Sequence, residues 1–411
     1  MNPPDSQERT LPYLTAKLPG VGGVIKRHDE DFVVEELPLY PAGGEGTHTY
    51  FMLEKRGLTT PAAIDLVARA LGCSRRDFGY AGLKDAHGVT RQMVSIEHVE
   101  PARVASLEFS RIRILSVARH TNKIKLGHLA GNRFDIKIRE ACDSAVTLVR
   151  PIVSVLGERG VPNYFGPQRF GARGDNAAIG RAILHDDYGE AIAQLLGRPG
   201  PVDRGDVRKA RELFDAGDVA AAADTWPRGM DTQRRVCRAL IKNGGDAKRA
   251  WRAVDHSLRK LYVSAVQSDL FNRVLANRID GIDRLVAGDI AWLHRNGACF
   301  RVEDPEVEQP RCDSFEISPS GPLYGKRMTE PGGTAAEAET KVLADSGLAK
   351  EQMHARDGTK LDGARRPLRV PLGKPQTGEG EDDRGHYLRL CFSLPPGAYA
   401  TNVTREICKN E

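Results

Sequence analysis

The stretch Phe78-Gly79-Tyr80-Ala81-Gly82-Leu83-Lys84-Asp85-Ala86-His87-Gly88-Val89-Thr90-Arg91-Gln92 gathers the residue types from which a reactive carboxylate can be built. Asp85 sits among glycines, with Lys84, His87 and Arg91 near it in the chain. Nearby cations favour the ionised form of a carboxylate, which is the form that acts as a nucleophile. Loops held by rigid elements are also where reacting groups collect. An aspartate in a glycine-rich loop equally well caps a helix or holds a turn, so on residue types alone both readings stand. Other chemistries find less support. The seven cysteines, at 73, 142, 237, 299, 312, 391 and 408, form no Cys-x-x-Cys pair. Their odd number and spacing suit neither a disulfide framework nor a zinc site. The eleven histidines include no His-Glu-x-x-His, and even the closest pair, His120 and His128, lacks metal-ligand spacing. No metal is expected.

The elements that must position Asp85 can be read around it. Val24 to Lys26 and Asp31 to Glu36 read as short strands, and His48 to Leu53 as another. Thr60 as N-cap and Pro61 at the first helical position open a helix. Ile64, Val67, Ala68 and Leu71 recur along it, and Gly72 closes it. Gly79 to His87 reads as a loop, and Val89 to Ile96 resumes as a strand. From Ile112 to Ile138 β-branched runs alternate with turns such as Gly131-Asn132. After Asn163 to Asp175, rich in glycine, arginine and aromatics, a long helical region runs to about Arg278. β character returns near Asp289 to Val302, and Gly333 to Leu348 looks helical. Gly373 to Gly385 reads as a polar, mobile linker, Tyr387 to Leu394 as a last strand, and Gly397 to Ile407 as a turn and helix. A strand so late in the chain needs a partner in the early sheet, which makes the helical middle an insertion.

Length and charge set outer bounds. A chain of 411 residues suits two domains. It contains no run of eighteen apolar residues, so no membrane span is expected. Met1 to Thr10 is polar and unlike a secretory signal, and a cytoplasmic protein, a monomer, is expected. Net charge is +5. Arg111 to Arg139 holds eight Lys or Arg against one acid, and Arg204 to Lys260 fourteen against eight. Such surfaces attract a polyanion such as RNA, although a basic run is also an ordinary solvated face.

Five blocks in order carry a family resemblance. Gly79 to Asp85 followed by Thr90-Arg91-Gln92 resembles the active-site motif of the TruD family of pseudouridine synthases. Lys26 with Glu30 to Glu35 resembles its N-terminal motif. His120 to Phe134, ending in Gly131-Asn132-Arg133-Phe134, resembles a third block. Asn163-Tyr164-Phe165-Gly166-Pro167-Gln168-Arg169-Phe170-Gly171 resembles a fourth. Leu394 to Thr401, with Arg405-Glu406, resembles the C-terminal signature.

The resemblance implies an α+β fold. A catalytic domain with a mixed, mainly antiparallel sheet would comprise 1–160 plus 375–411. A largely helical α/β insertion domain would comprise 161–374. It implies isomerisation of a uridine in tRNA, at position 13, by breaking the C1′–N1 bond and rejoining the base through C5. That reaction needs no redox cofactor or phosphate donor. By carry-over Asp85 is the catalytic carboxylate. Whether it attacks the sugar or promotes a glycal stays open. Phe32, Asn132, Phe134 and Tyr399 match substrate contacts, and Lys26 matches a basic residue able to pair with Asp85. Stacking on aromatic faces is worth about 1–3 kcal/mol per base. Phe32 and Phe134 could instead be core, Asn132 a turn residue and Tyr399 a structural hydrogen-bonder. Lys84, Arg91 and Arg169 are candidate RNA contacts. An RNA-binding or chaperone-like protein without turnover, and an unrelated hydrolase, are the competing readings. The intact Asp85 speaks against the first, and the missing phosphate-binding loop against the second.

Overall fold

Alternating apolar and polar residues build the sheet that carries the Asp85 loop. The computed structural model describes residues 11–353 and 361–410. Two compact units emerge, one of Tyr13–Val161 with Val370–Glu411, the other built on Pro162–Arg369.

Among the described residues the first unit is built on a nine-stranded sheet. Its strands are β1 (Gly22–Val24), β2 (Phe32–Pro38), β3 (His48–Arg56), β4 (Phe78–Tyr80), β5 (Val89–Glu97), β6 (Ile112–His120), β7 (Leu129–Ala141), β8 (Gly373–Asp382) and β9 (Gly385–Leu394). Their order is β8-β9-β7-β2-β5-β3-β6, with β1 on β7 and β4 on β5. Only β2 and β5 run parallel; the other pairings are antiparallel. The expected α+β fold with a mixed, mainly antiparallel sheet is therefore present. Helix α1 (Thr60–Leu71) turns Ala63, Ile64, Val67 and Leu71 onto Phe51, Leu53, Val94 and Ile96. A short α2 (Pro101–Ala105) follows β5. Helices α3 (Ala145–Arg159) and α4 (Ala400–Cys408) bury Val149, Ile152, Val403 and Ile407 with Phe134, Ile136, Leu390 and Phe392. Each such side chain contributes about 1.5–3 kcal/mol.

Four expectations are corrected here. Gly373 to Gly385 is no linker: β8 pairs along β9, and the turn between them spans 383–384. It lacks an apolar face because it is an edge strand held by its ladder. Pro375 falls where the register shifts, a position without a ladder donor to lose. Gly131-Asn132 is not a turn but lies inside β7, between β2 and β9. Gly131 is required there because a Cβ would come within 2.6 Å of the Leu394 carbonyl. The N-cap of α1 is Thr59, whose hydroxyl accepts from Ala62 N. Thr60 is freed for another task, described below. Finally, β1 ends at Val24, and Lys26 adopts a left-handed backbone (φ +57°) instead of continuing a strand.

The second unit is largely helical, as read from the sequence. Seven helices lie between Asn176 and Asn277, and the longest, His256–Asn277, buries Val263, Val266, Leu270 and Val274. An antiparallel sheet orders Cys299–Arg301, Ile290–Leu293, Ile317–Leu323 and Ala364–Pro367. Among the described residues no helix is long and apolar enough to cross a membrane.

Candidate active site

Asp85 lies in the loop 81–88 between β4 and β5, and this loop is fastened at nearly every step. The Thr60 hydroxyl accepts from Lys84 N at 3.0 Å and donates to Gln92 Oε1 at 2.8 Å. Gln92 in turn donates to the Gly82 carbonyl at 3.3 Å. Gly88 N donates to Asp29 Oδ1 at 3.0 Å. At φ +137°, with the Phe32 carbonyl 2.6 Å from any Cβ, position 88 admits only glycine. The Lys84 ammonium is buried against Glu36 at 2.6 Å. Lys55, on β3, donates from Nζ to the carbonyl of Asp85 itself and to that of Leu58, both at 2.6 Å.

The Asp85 carboxylate itself is held lightly. Its side chain is 36% exposed, and Lys26 Nζ lies 2.9 Å from Oδ2. Left-handed backbone at a lysine costs about 1–3 kcal/mol. It places the ammonium over the Phe32 ring as well, 4.0 Å from its centre. Phe32 opens β2 and is 2% exposed, and its ring centre is 6.2 Å from that of Phe134. Phe134 is 6% exposed and stacks on Phe392 of β9 at 5.3 Å. Asn132 is two residues before Phe134 and so on the same face of β7, in register with Glu36 and Leu394. Its Oδ1 is buried without a hydrogen-bond partner, a position that normally signals a role. Tyr399 precedes α4, its carbonyl accepting from Asn402 N at 3.1 Å. Lys26, Asp85, Phe32 and Phe134 thus form one connected cluster, with Asn132 beside it on β7.

Of the candidate RNA contacts, Lys84 sits in the Asp85 loop with its ammonium buried against Glu36, and the other two fall elsewhere. Arg91 is 37% exposed and pairs with Glu54 at 2.8 Å and Glu35 at 3.4 Å, and these carboxylates raise its pKa further. Arg169 belongs to the second unit, on the turn Pro167–Arg169, with its guanidinium 5.3 Å from the Phe165 ring centre. That block is itself tightly built. Phe165 exchanges both backbone hydrogen bonds with the Asn272 amide, at 2.8 and 3.0 Å, under Arg366 at 4.2 Å. Beside the Asp85 loop, a cleft of about 600 Å³ is lined by Arg75, Arg76, Tyr80, Lys123 and Leu126. Gly127 N joins its rim to the Ala81 carbonyl at 2.8 Å.

Sequence reasoning missed Lys55, Glu36, Thr60 and Phe392. In the run Glu54-Lys55-Arg56, Lys55 looks like the solvated end of a strand. Only the pleat, which puts it on the face of Phe51 and Leu53, shows that it turns inward.

A carboxylate-bearing loop on a mixed sheet lies beside buried aromatic rings and an unsatisfied amide, and comparison with known proteins gives the class of the chain that carries it. The family model described as tRNA pseudouridine synthase D (TruD) matches residues 10–407. A Geobacter metallireducens protein named tRNA pseudouridine synthase D is 50% identical over 97% of both chains. Its namesake from Geobacter sulfurreducens is 49% identical over 97% of this chain and 96% of its own. A Methanosarcina mazei crystal structure, described as a candidate TruD, superposes with a TM-score of 0.85 at 27% identity, covering 97% and 96% of the two chains. The chain belongs to the tRNA pseudouridine synthase D family.

Proposed function

We propose that this protein isomerises a uridine of tRNA, uridine 13, to pseudouridine, with Asp85 as the catalytic carboxylate. The observation that carries this reading is the contrast within one loop. Its backbone is pinned by Thr60, Gln92, Lys55 and Asp29, while its carboxylate stays one-third exposed beside a single lysine. Family membership supports the reaction class. In that reaction the C1′–N1 bond breaks, a C1′–C5 bond forms, and a proton leaves C5 while one is gained at N1. Asp85 acts at C1′. Lys26 orients it through their ion pair. The extruded base meets Phe134 and Tyr399, and the free Oδ1 of Asn132 accepts from a base N–H. Phe32 backs the Lys26 ammonium. Arg91, Arg169 and the cleft of Arg75, Arg76 and Lys123 meet phosphates, while Lys84 anchors the loop through its buried pair with Glu36. The unit carrying Asp85 is the catalytic domain and the unit built on Pro162–Arg369 the insertion domain.

The test is tritium release from a tRNA transcript labelled at uridine C5. The wild type should release label, Asp85→Asn should fall at least 10³-fold, and a transcript with cytidine at position 13 should lose release from that site. Wild-type binding without release would move the protein to the non-catalytic RNA-binding class.

A further inference from the structure

Lys55 is an unusual lysine in this unit. It is 0% exposed, it follows Phe51 and Leu53 onto the α1-facing side of the sheet, and among the described residues it pairs with no carboxylate. Its two close partners are main-chain carbonyls, those of Leu58 and Asp85. Burial of an ammonium without a counter-ion is costly, and a purely structural role could be filled by an apolar side chain of similar length. What Lys55 provides that such a residue cannot is a charged donor fixed on the carbonyl of the catalytic aspartate.

We propose that Lys55 is a positioning residue for the reaction: its ammonium locks the Asp85 main chain so that the carboxylate points at the substrate sugar. This rests on the assignment of Asp85 as the catalytic group. Burial lowers the Lys55 pKa to about 8, an effect opposed by the negative charges of Asp85 and Asp29 and reinforced by Lys84. The same Asp29 ties Gly88, at the far end of the loop, and Lys26 faces Asp85 from the other side. Deprotonation of Lys55 therefore weakens the hold on the Asp85 main chain. The lowered pKa also has a stability signature. Between pH 8 and about 10.5 the unfolded chain binds the proton that the folded protein has released, so stability from this group rises with pH while the rate falls. A group that served only the fold would change stability over this window and leave the rate flat.

The experiment measures single-turnover tritium release, tRNA binding and thermal stability for the full-length protein from pH 7 to 9.5. The wild-type rate should fall above an apparent pKa near 8. Lys55→Met should be at least tenfold slower at pH 7, flat across this range, equal to wild type in tRNA affinity within twofold, and no less thermostable. Lys55→Arg keeps its charge throughout and should recover part of the rate with the alkaline limb displaced upward. A Lys55→Met rate within twofold of wild type overturns the proposal. Should that variant fail to fold, a wild-type rate that stays flat to pH 9.5 overturns it equally. A wild type inactive at every pH, with tRNA bound, would instead sink the assignment of the reaction.

Discussion

Asp31 and Asp85 are both aspartates of the first unit, both paired with a cation, and they are built to opposite purposes. Asp31 is fully buried, and Arg139 reaches it with two nitrogens, at 2.6 and 3.0 Å. Arg139 continues to Asp382 at the end of β8, which also takes Lys137 at 2.6 Å. These contacts hold the Arg139 pKa well above the ordinary arginine value and that of Asp382 well below the ordinary carboxylate value. Asp85 has one lysine, one contact and an open side. The fold therefore spends bidentate geometry where strands must be fastened across a long sequence gap. It leaves a single partner, Lys26, at the partly exposed Asp85. Polar networks alone do not mark a site; the marked feature is a fixed backbone under a loosely held side chain.

Breaking the structural pair should have the larger thermodynamic effect. Arg139→Met leaves Asp31 buried without its partner and is expected to destabilise the protein by about 3–5 kcal/mol, read as a fall in the urea midpoint. The fraction that remains folded should keep its tritium-release rate. Asp85→Asn should do the reverse, removing turnover while the urea midpoint stays within about 0.5 kcal/mol of wild type, as for other partly exposed groups. A large loss of stability there would make Asp85 a second Asp31. Lys26→Met should slow single-turnover release about 10–100-fold, in the range of other orienting groups, with a midpoint change smaller than that of Arg139→Met. The smallest effect concerns Glu30, which pairs with Arg384 and Arg56 on the exposed flank of the same region. The Arg384 hydrogen bond above all holds its pKa at about 2. Its stabilisation is present above pH 4.5 and is lost as pH falls toward 2. Glu30→Gln should flatten the acid limb of stability over that window and lower neutral-pH stability by the same amount, a small one since exposed pairs contribute little.

The sequence was most legible where one residue type has one use. The helix with Ile64, Val67 and Leu71, the strand Val89 to Ile96 and the late strand partnering the early sheet all follow from periodicity. The Asp85 loop was visible from its glycines. The misread segments share a cause, namely that tertiary pairing replaced a local signal. Nothing in Gly373-Lys374-Pro375-Gln376-Thr377 announces a strand, because its stability comes from β9 across the ladder. Gly131-Asn132 carries turn chemistry, yet two neighbouring strands hold it extended. Lys55 could not be told from Arg56, since alternation assigns faces but does not say which face is buried for a charged pair. Thr59 and Thr60 are both able to cap a helix that opens at Pro61, and sequence does not distinguish the cap, Thr59, from the hydroxyl that holds Lys84 and Gln92.

The pairing of β7 with β9 carries a consequence for how the molecule is made. Roughly 240 residues separate Ala141 from Gly385. At about 5–20 residues per second of ribosomal synthesis, β7 waits on the order of 10–50 seconds with one edge unsatisfied. During that interval the Phe134 and Ile136 side chains lack the Phe392 and Leu390 that later cover them. Exposed strand edges are what chaperones bind and what drives aggregation. The protein is thus most vulnerable before residues 373–408 emerge, and loss of that segment would remove two strands and a helix from the unit that holds the Asp85 loop.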